Sequence, residues 1–175
     1  NKEKKEDPPG SDLPILNVTT TPLLVGRPSK RAQEVKARAV TDPAGLLSDL
    51  DISAISAKTS SEYLLKLYEQ MLNGRGKGGA SYLPDYFQQP KLVRSKSGKQ
   101  KGIQIKMTSE ALSEAANSGA AKKILRTYAF WFQSALTASK ATQSSNLSLE
   151  NAKFQYASNA QSILIYISRS PWGGL

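Results

Sequence analysis

Two residue types are missing altogether: the 175 residues include no cysteine and no histidine. The absence of cysteine excludes disulfide bonds and a thiol nucleophile, and the absence of both residues excludes the usual zinc sites. Without histidine there is no Ser-His-Asp triad, and the most frequent general base in enzymes is unavailable. We therefore predict that the protein is not an enzyme, and we predict no cofactor and no metal site.

Long hydrophobic runs are also missing. The best continuous apolar run extends from Ile163 to Ile167, whereas a membrane-spanning helix needs about 20 predominantly apolar residues. The sequence therefore predicts no membrane span.

Positive charge is abundant and unevenly distributed. Lysine and arginine number 24 against 14 acidic residues, which gives a formal net charge of +10. Between Asn73 and Met107 the only acid is Asp85, and the basic residues there are Arg75, Lys77, Lys91, Arg94, Lys96, Lys99, Lys101 and Lys106. Such a concentration is typical of a surface that binds a polyanion or an acidic protein, although a charge run can also be a simple solvated face.

Residues 1–40 are predicted to form an extended, proline-rich arm. Each of its five prolines fixes one backbone dihedral and disfavours helix in the residue before it, so no helix is expected before about Ser29. The arm also carries too many apolar residues for a free solvated tail. It is therefore expected to lie on a surface, either that of its own body or that of a neighbouring subunit. A second basic cluster lies where arm and body meet: Arg27, Lys30, Arg31, Lys36 and Arg38.

Residues 41–175 are predicted to form a helical body. Asp42 followed by Pro43 is typical of a helix start, and Thr59 with Glu62 three residues later matches a capping box. Apolar residues at helical spacing predict three main helices, over residues 61–73, 120–141 and 149–170. The expected fold class is therefore mainly α: a small bundle of three main helices with the extended N-terminal arm.

One segment of the body departs from helical spacing. Residues 91–94 and 102–107 alternate with a period of two around a Ser, Gly and Lys turn, which predicts one basic β-hairpin. Before it, glycines from Gly74 to Gly79 fit a G-x-G-x-x-G pattern. A dinucleotide site needs a strand before that loop, and here a helix precedes it, so we exclude this function. Residues 74–107 are assigned as a basic loop and hairpin.

The candidate partner-binding residues combine these basic groups with one aromatic side chain. Trp172 follows Pro171, where the last predicted helix ends, and it would either fold back on the bundle or anchor a neighbouring subunit. The full candidate set is Arg27, Lys30, Arg31, Arg75, Lys77, Lys91, Arg94, Lys96, Lys99, Lys101 and Trp172.

The combination of arm, body and basic hairpin suits a structural linker or assembly protein that binds acidic protein subunits of a larger complex, since extended segments span large surfaces. The basic charge and this layout resemble the linker polypeptides of light-harvesting phycobilisomes, which join acidic pigment proteins. The resemblance covers composition and layout, and the repeated motifs of that family are absent from the sequence. It implies a role in a photosynthetic antenna and a chloroplast or plastid location.

A nucleic-acid-packaging protein, such as a viral coat or nucleocapsid subunit, is the alternative. The basic segment would then contact phosphates, and Tyr82, Tyr86 and Phe87 would stack on bases. Against this, lysine predominates over arginine in the segment, and lysine contacts phosphate without the forked geometry of a guanidinium group.

Overall fold

The computed structural model describes residues 20–21, 30–74, 83, 85–115, 118–143, 147, 149–157 and 161–167. Helices and strands follow one another in short runs along these residues. In chain order the elements are β1 (Thr20–Thr21), α1 (Lys30–Thr41), α2 (Pro43–Asp49), α3 (Ser60–Asn73), β2 (Lys91–Arg94), β3 (Lys101–Lys106), α4 (Ser109–Glu114), α5 (Ser118–Thr142), β4 (Ala152–Ala157) and β5 (Ser162–Ile167).

The strands form one sheet in the order β1-β4-β5-β3-β2, and every neighbouring pair is antiparallel. Strand β5 is central and pairs with β3 and β4, whereas β2 pairs with β3 alone and lies at the edge of the described sheet. The β2–β3 hairpin therefore extends from the central strand β5 to one edge of the described sheet.

The helices cover one face of this sheet in two layers. Helix α3 packs on β2 and β3, α5 contacts β5, and α1 and α2 pack on the outer side of α5. Helix α5 is consequently buried on several sides, as Leu125, Phe130 and Phe132 show. Its centre is fixed to α3, because the buried Tyr68 hydroxyl donates a hydrogen bond to the Phe132 carbonyl oxygen at 3.0 Å.

Helix starts occur where the capping residues predict them. Asp42 accepts a hydrogen bond from the Gly45 amide at the start of α2, and Thr59 accepts one from the Glu62 amide at the start of α3. Each cap satisfies an amide that has no carbonyl partner within its helix. The hairpin predicted at 91–94 and 102–107 is also present, as β2 and β3.

The prediction of a mainly α three-helix bundle with one hairpin is wrong, because the chain is a mixed α/β protein with an antiparallel sheet. The error lies in residues 149–170, where the structure has strands β4 and β5 in place of one long helix. Apolar residues four apart share a face in both a helix and a strand, so this spacing did not discriminate. The β-branched and aromatic run Ile163–Ile167 favours strand, as observed.

The predicted arm also ends earlier than residue 40. Helix α1 begins at Lys30, so the last part of the range assigned to the extended arm is helical. Thr20 and Thr21 form β1, paired with Ala157 and Tyr156 of β4. The rest of the arm lies outside the described residues.

Candidate functional site

The turn of the β2–β3 hairpin displays two lysines on an ordered backbone. The Ser95 carbonyl oxygen accepts a hydrogen bond from the Gly98 amide at 2.9 Å, and the Ser95 amide donates to the Gln100 carbonyl oxygen at 3.0 Å. Gly98 has φ of +74°, a conformation that glycine adopts without strain. Lys96 and Lys99 occupy the solvent-exposed positions of this turn.

The hairpin is held to the helical layer at its other end. The side-chain amides of Asn73, at the end of α3, and Gln89 exchange two hydrogen bonds of 3.2 and 3.1 Å. The main-chain amide of Gln88 donates a hydrogen bond to the Lys106 carbonyl oxygen at 2.7 Å. These contacts fix the chain that enters β2, so the turn lysines project from an anchored strand pair.

The sheet register connects the hairpin with two further lysines. Arg94, Lys101, Ile167 and Ala152 lie side by side across four neighbouring strands. At the end of this row the Lys140 ammonium group, in the last turn of α5, donates to the Ala152 carbonyl oxygen at 2.8 Å.

Lys153 is the next residue of β4 and is exposed. Adjacent strands are about 4.8 Å apart, so the row spans roughly 15 Å. The resulting surface at this end of the sheet is called the basic end, and it consists of Arg94, Lys96, Lys99, Lys101, Lys140 and Lys153.

The charges of the basic end are weakly compensated. Among the described residues, none of its six cations forms an ion pair with an acidic side chain. Burial lowers the pKa of Lys140 below the ordinary lysine value, and the positive charge of Lys153 lowers it further, whereas Glu150 acts in the opposite direction. An added negative charge at this end would therefore be stabilised.

The basic cluster at the start of the body is organised differently. Arg38 forms ion pairs with Asp42, at 3.2 Å, and with Asp49, and these carboxylates raise the pKa of its guanidinium group. The Arg31 guanidinium group lies 5.1 Å from the centre of the Trp131 ring. These two arginines join α1 to α2 and α5. Of the candidate residues in this cluster, Lys30 and Arg31 are both exposed at the start of α1.

Four candidate residues, Arg27, Arg75, Lys77 and Trp172, lie outside the described residues. Lys91 is exposed at the opposite end of β2 from Arg94, three residues away, and does not belong to the basic end. The sequence thus identified four of the six residues of the basic end. It missed Lys140 and Lys153, because only the sheet register and the contact of α5 with Ala152 bring them near the hairpin.

Two of the aromatic residues proposed to stack on bases are engaged in the core. Phe87 packs edge-to-face against Phe132 at 5.2 Å between ring centres, and Tyr86 packs against Tyr128 at 6.1 Å. Phe87 is only 8% exposed. Tyr82 lies outside the described residues.

A comparison with known protein families, curated proteins and solved structures finds no match to this chain. In the part of the chain that the structure describes, no helix combines the length and apolarity required to cross a membrane.

Proposed function

We propose that the protein is a non-enzymatic structural linker that docks on an acidic protein subunit through the basic end. The observation that carries this proposal is the grouping of six cations at one end of the sheet. None of these six cations forms an ion pair with an acidic side chain among the described residues. Charges arranged in this way attract a surface of opposite sign and fix its orientation.

An acidic protein fits the arrangement better than a nucleic acid does. The basic end contains one arginine and five lysines. The lysine ammonium group is a point charge, whereas the arginine guanidinium group offers a forked pair of donors that matches phosphate. Packing of Tyr86 and Phe87 against core aromatics also reduces the area on which bases could stack.

The arm has a second role in this proposal. The extended arm predicted from the sequence would bind a neighbouring subunit, while the folded part docks through the basic end. An extended segment orders on binding and covers a large area, which suits a protein that joins two subunits.

The test is size-exclusion chromatography of the native protein from its source, with absorbance recorded from the ultraviolet to the visible. A large particle with protein-like absorbance is expected, and visible absorbance would identify the acidic partner as a pigment protein. A large particle rich in absorbance at 260 nm would replace the proposal with nucleic-acid packaging. Elution of the protein alone, at the size of one chain, would refute both assembly functions.

A further inference from the structure

Strand β2, at the edge of the described sheet, offers a second mode of recognition beside charge. Strand β2 is the last strand of the described sheet on that side. An edge strand presents unpaired main-chain amides and carbonyls, on which another extended chain can add as a strand.

The register shows which main-chain groups face outward. The Ser95 amide donates to the Gln100 carbonyl oxygen, and β2 continues in the same register, with Val93 opposite Gly102. Hydrogen bonding to a given neighbour alternates along an antiparallel strand. Lys91 and Val93 therefore bond to β3, and the amides and carbonyls of Leu92 and Arg94 point away from the sheet.

Pro90 limits this edge on one side, since proline has no amide hydrogen to donate. On the other side the chain leaves the strand at Ser95 and enters the turn. The edge is thus short, with two residues that can exchange up to four main-chain hydrogen bonds.

Charge decides what can occupy the edge. Lys91 and Arg94 are at the two ends of β2, on opposite faces of the sheet because they are three residues apart. Lys96 follows in the turn. A second copy of β2 would bring the cations of two chains together, which is destabilising, so self-pairing is disfavoured.

From this geometry we propose that an acidic extended segment of the partner adds as an antiparallel strand to β2. The inference rests on the proposed function and specifies its partner. The added strand would bond to the main chain of Leu92 and Arg94. Its acidic residues, three apart, would lie opposite Lys91 and Arg94, one on each face of the sheet.

The test uses the full chain labelled with ¹⁵N and the capped peptide Thr-Glu-Val-Thr-Glu-Thr. Saturation with the peptide is expected to slow hydrogen exchange at the Leu92 and Arg94 amides at least tenfold. The Val93 amide, already bonded to β3, serves as the internal reference. A matched peptide, N-methylated at the two residues opposite Leu92 and Arg94, keeps the charges but cannot donate those hydrogen bonds.

The N-methylated peptide is expected to bind about tenfold or more weakly, because it lacks two of the main-chain donors that the added strand would supply. Equal affinity of the two peptides would refute strand addition and leave charge-based docking intact. Slow exchange at Leu92 and Arg94 in the free protein would also refute it, because the edge would already be paired. Absence of binding by both acidic peptides would refute strand addition and contradict the proposed function as well.

Discussion

The two basic clusters of this protein have similar composition and opposite organisation. In the cluster on α1, Arg38 is paired with two aspartates and Arg31 lies over Trp131, so these cations stabilise the contact of α1 with α2 and α5. At the basic end, by contrast, the described cations form no ion pair with an acid. A sequence shows only the density of charge, whereas the fold shows whether the opposite charge is already supplied.

This difference gives the largest expected effect, which is on docking. Lys96→Glu combined with Lys99→Glu should weaken binding to the acidic partner by about 10–100-fold, because each reversed charge costs on the order of 1 kcal/mol against an acidic surface. Folding should be unaffected, since both side chains are exposed. Affinity is measured by calorimetry and folding by circular dichroism.

The matched control reverses Lys122 and Lys123, exposed residues near the start of α5. They lie about 25 Å along the helix from Lys140, given a rise of 1.5 Å per residue. The control has the same net charge as the double variant at the turn. Equal loss of affinity in both would show that net charge, and not the basic end, governs docking.

The next effect concerns the turn that positions the two lysines. Gly98→Ala places a side chain at φ of +74°, which should destabilise the turn by about 1–2 kcal/mol. Among the described residues, apart from the two chain neighbours of Gly98, no atom lies within 4 Å of the added methyl group, so the cost is backbone strain and not collision. Gly98→Asn is the control, because asparagine adopts this conformation more readily. Urea denaturation should place Gly98→Asn between the wild type and Gly98→Ala, and the reverse order would contradict this account.

A smaller effect is expected in the cluster on α1, and it should appear in stability rather than in docking. Arg31→Gln removes the cation over Trp131 and should cost about 0.5–1 kcal/mol. Urea denaturation followed by tryptophan fluorescence measures this change. If Arg31→Gln weakens docking as strongly as the turn variants do, both clusters bind the partner and the distinction between them is wrong.

The sequence predicted those parts of the fold that local chemistry determines. Side-chain caps at Asp42 and Thr59 indicated two helix starts. The alternation of residue types with a period of two, on both sides of a polar turn, indicated the β2–β3 hairpin. Strand β5 was missed because it is buried on both faces. Ile163 and Ile165 join the main core while Leu164 packs with Val93 and Tyr166 on the other face, so no apolar–polar alternation is left to recognise.

The candidate site was predictable to the same extent. The residues of the hairpin are close in sequence, so their charge density was visible without a structure. Lys140 and Lys153 belong to a helix end and to a strand that had been predicted as helix. Their proximity to Lys101 depends on the order of the strands, which neither charge nor spacing encodes.

The smallest expected effect is the pH dependence caused by Lys140, which should change docking and stability in opposite directions. Partial desolvation lowers the pKa of this lysine, so it loses its proton at a lower pH than a fully solvated lysine does. Loss of the proton removes one cation from the basic end, and affinity for an acidic partner should therefore decrease as the pH rises through this pKa. Stability should change in the opposite sense: the unfolded chain retains the proton to higher pH, so the free energy of unfolding increases over the same interval.

Lys140→Arg should reduce both pH dependences, because arginine stays protonated throughout this range and can still donate to the Ala152 carbonyl oxygen. Calorimetric titration and urea denaturation between pH 7 and pH 10 measure the two slopes. If affinity of the wild type and of Lys140→Arg decreases in parallel, Lys140 does not contribute to docking. The basic end would then be confined to the β2–β3 hairpin, and the charge on α5 would serve only to bind the main chain of β4.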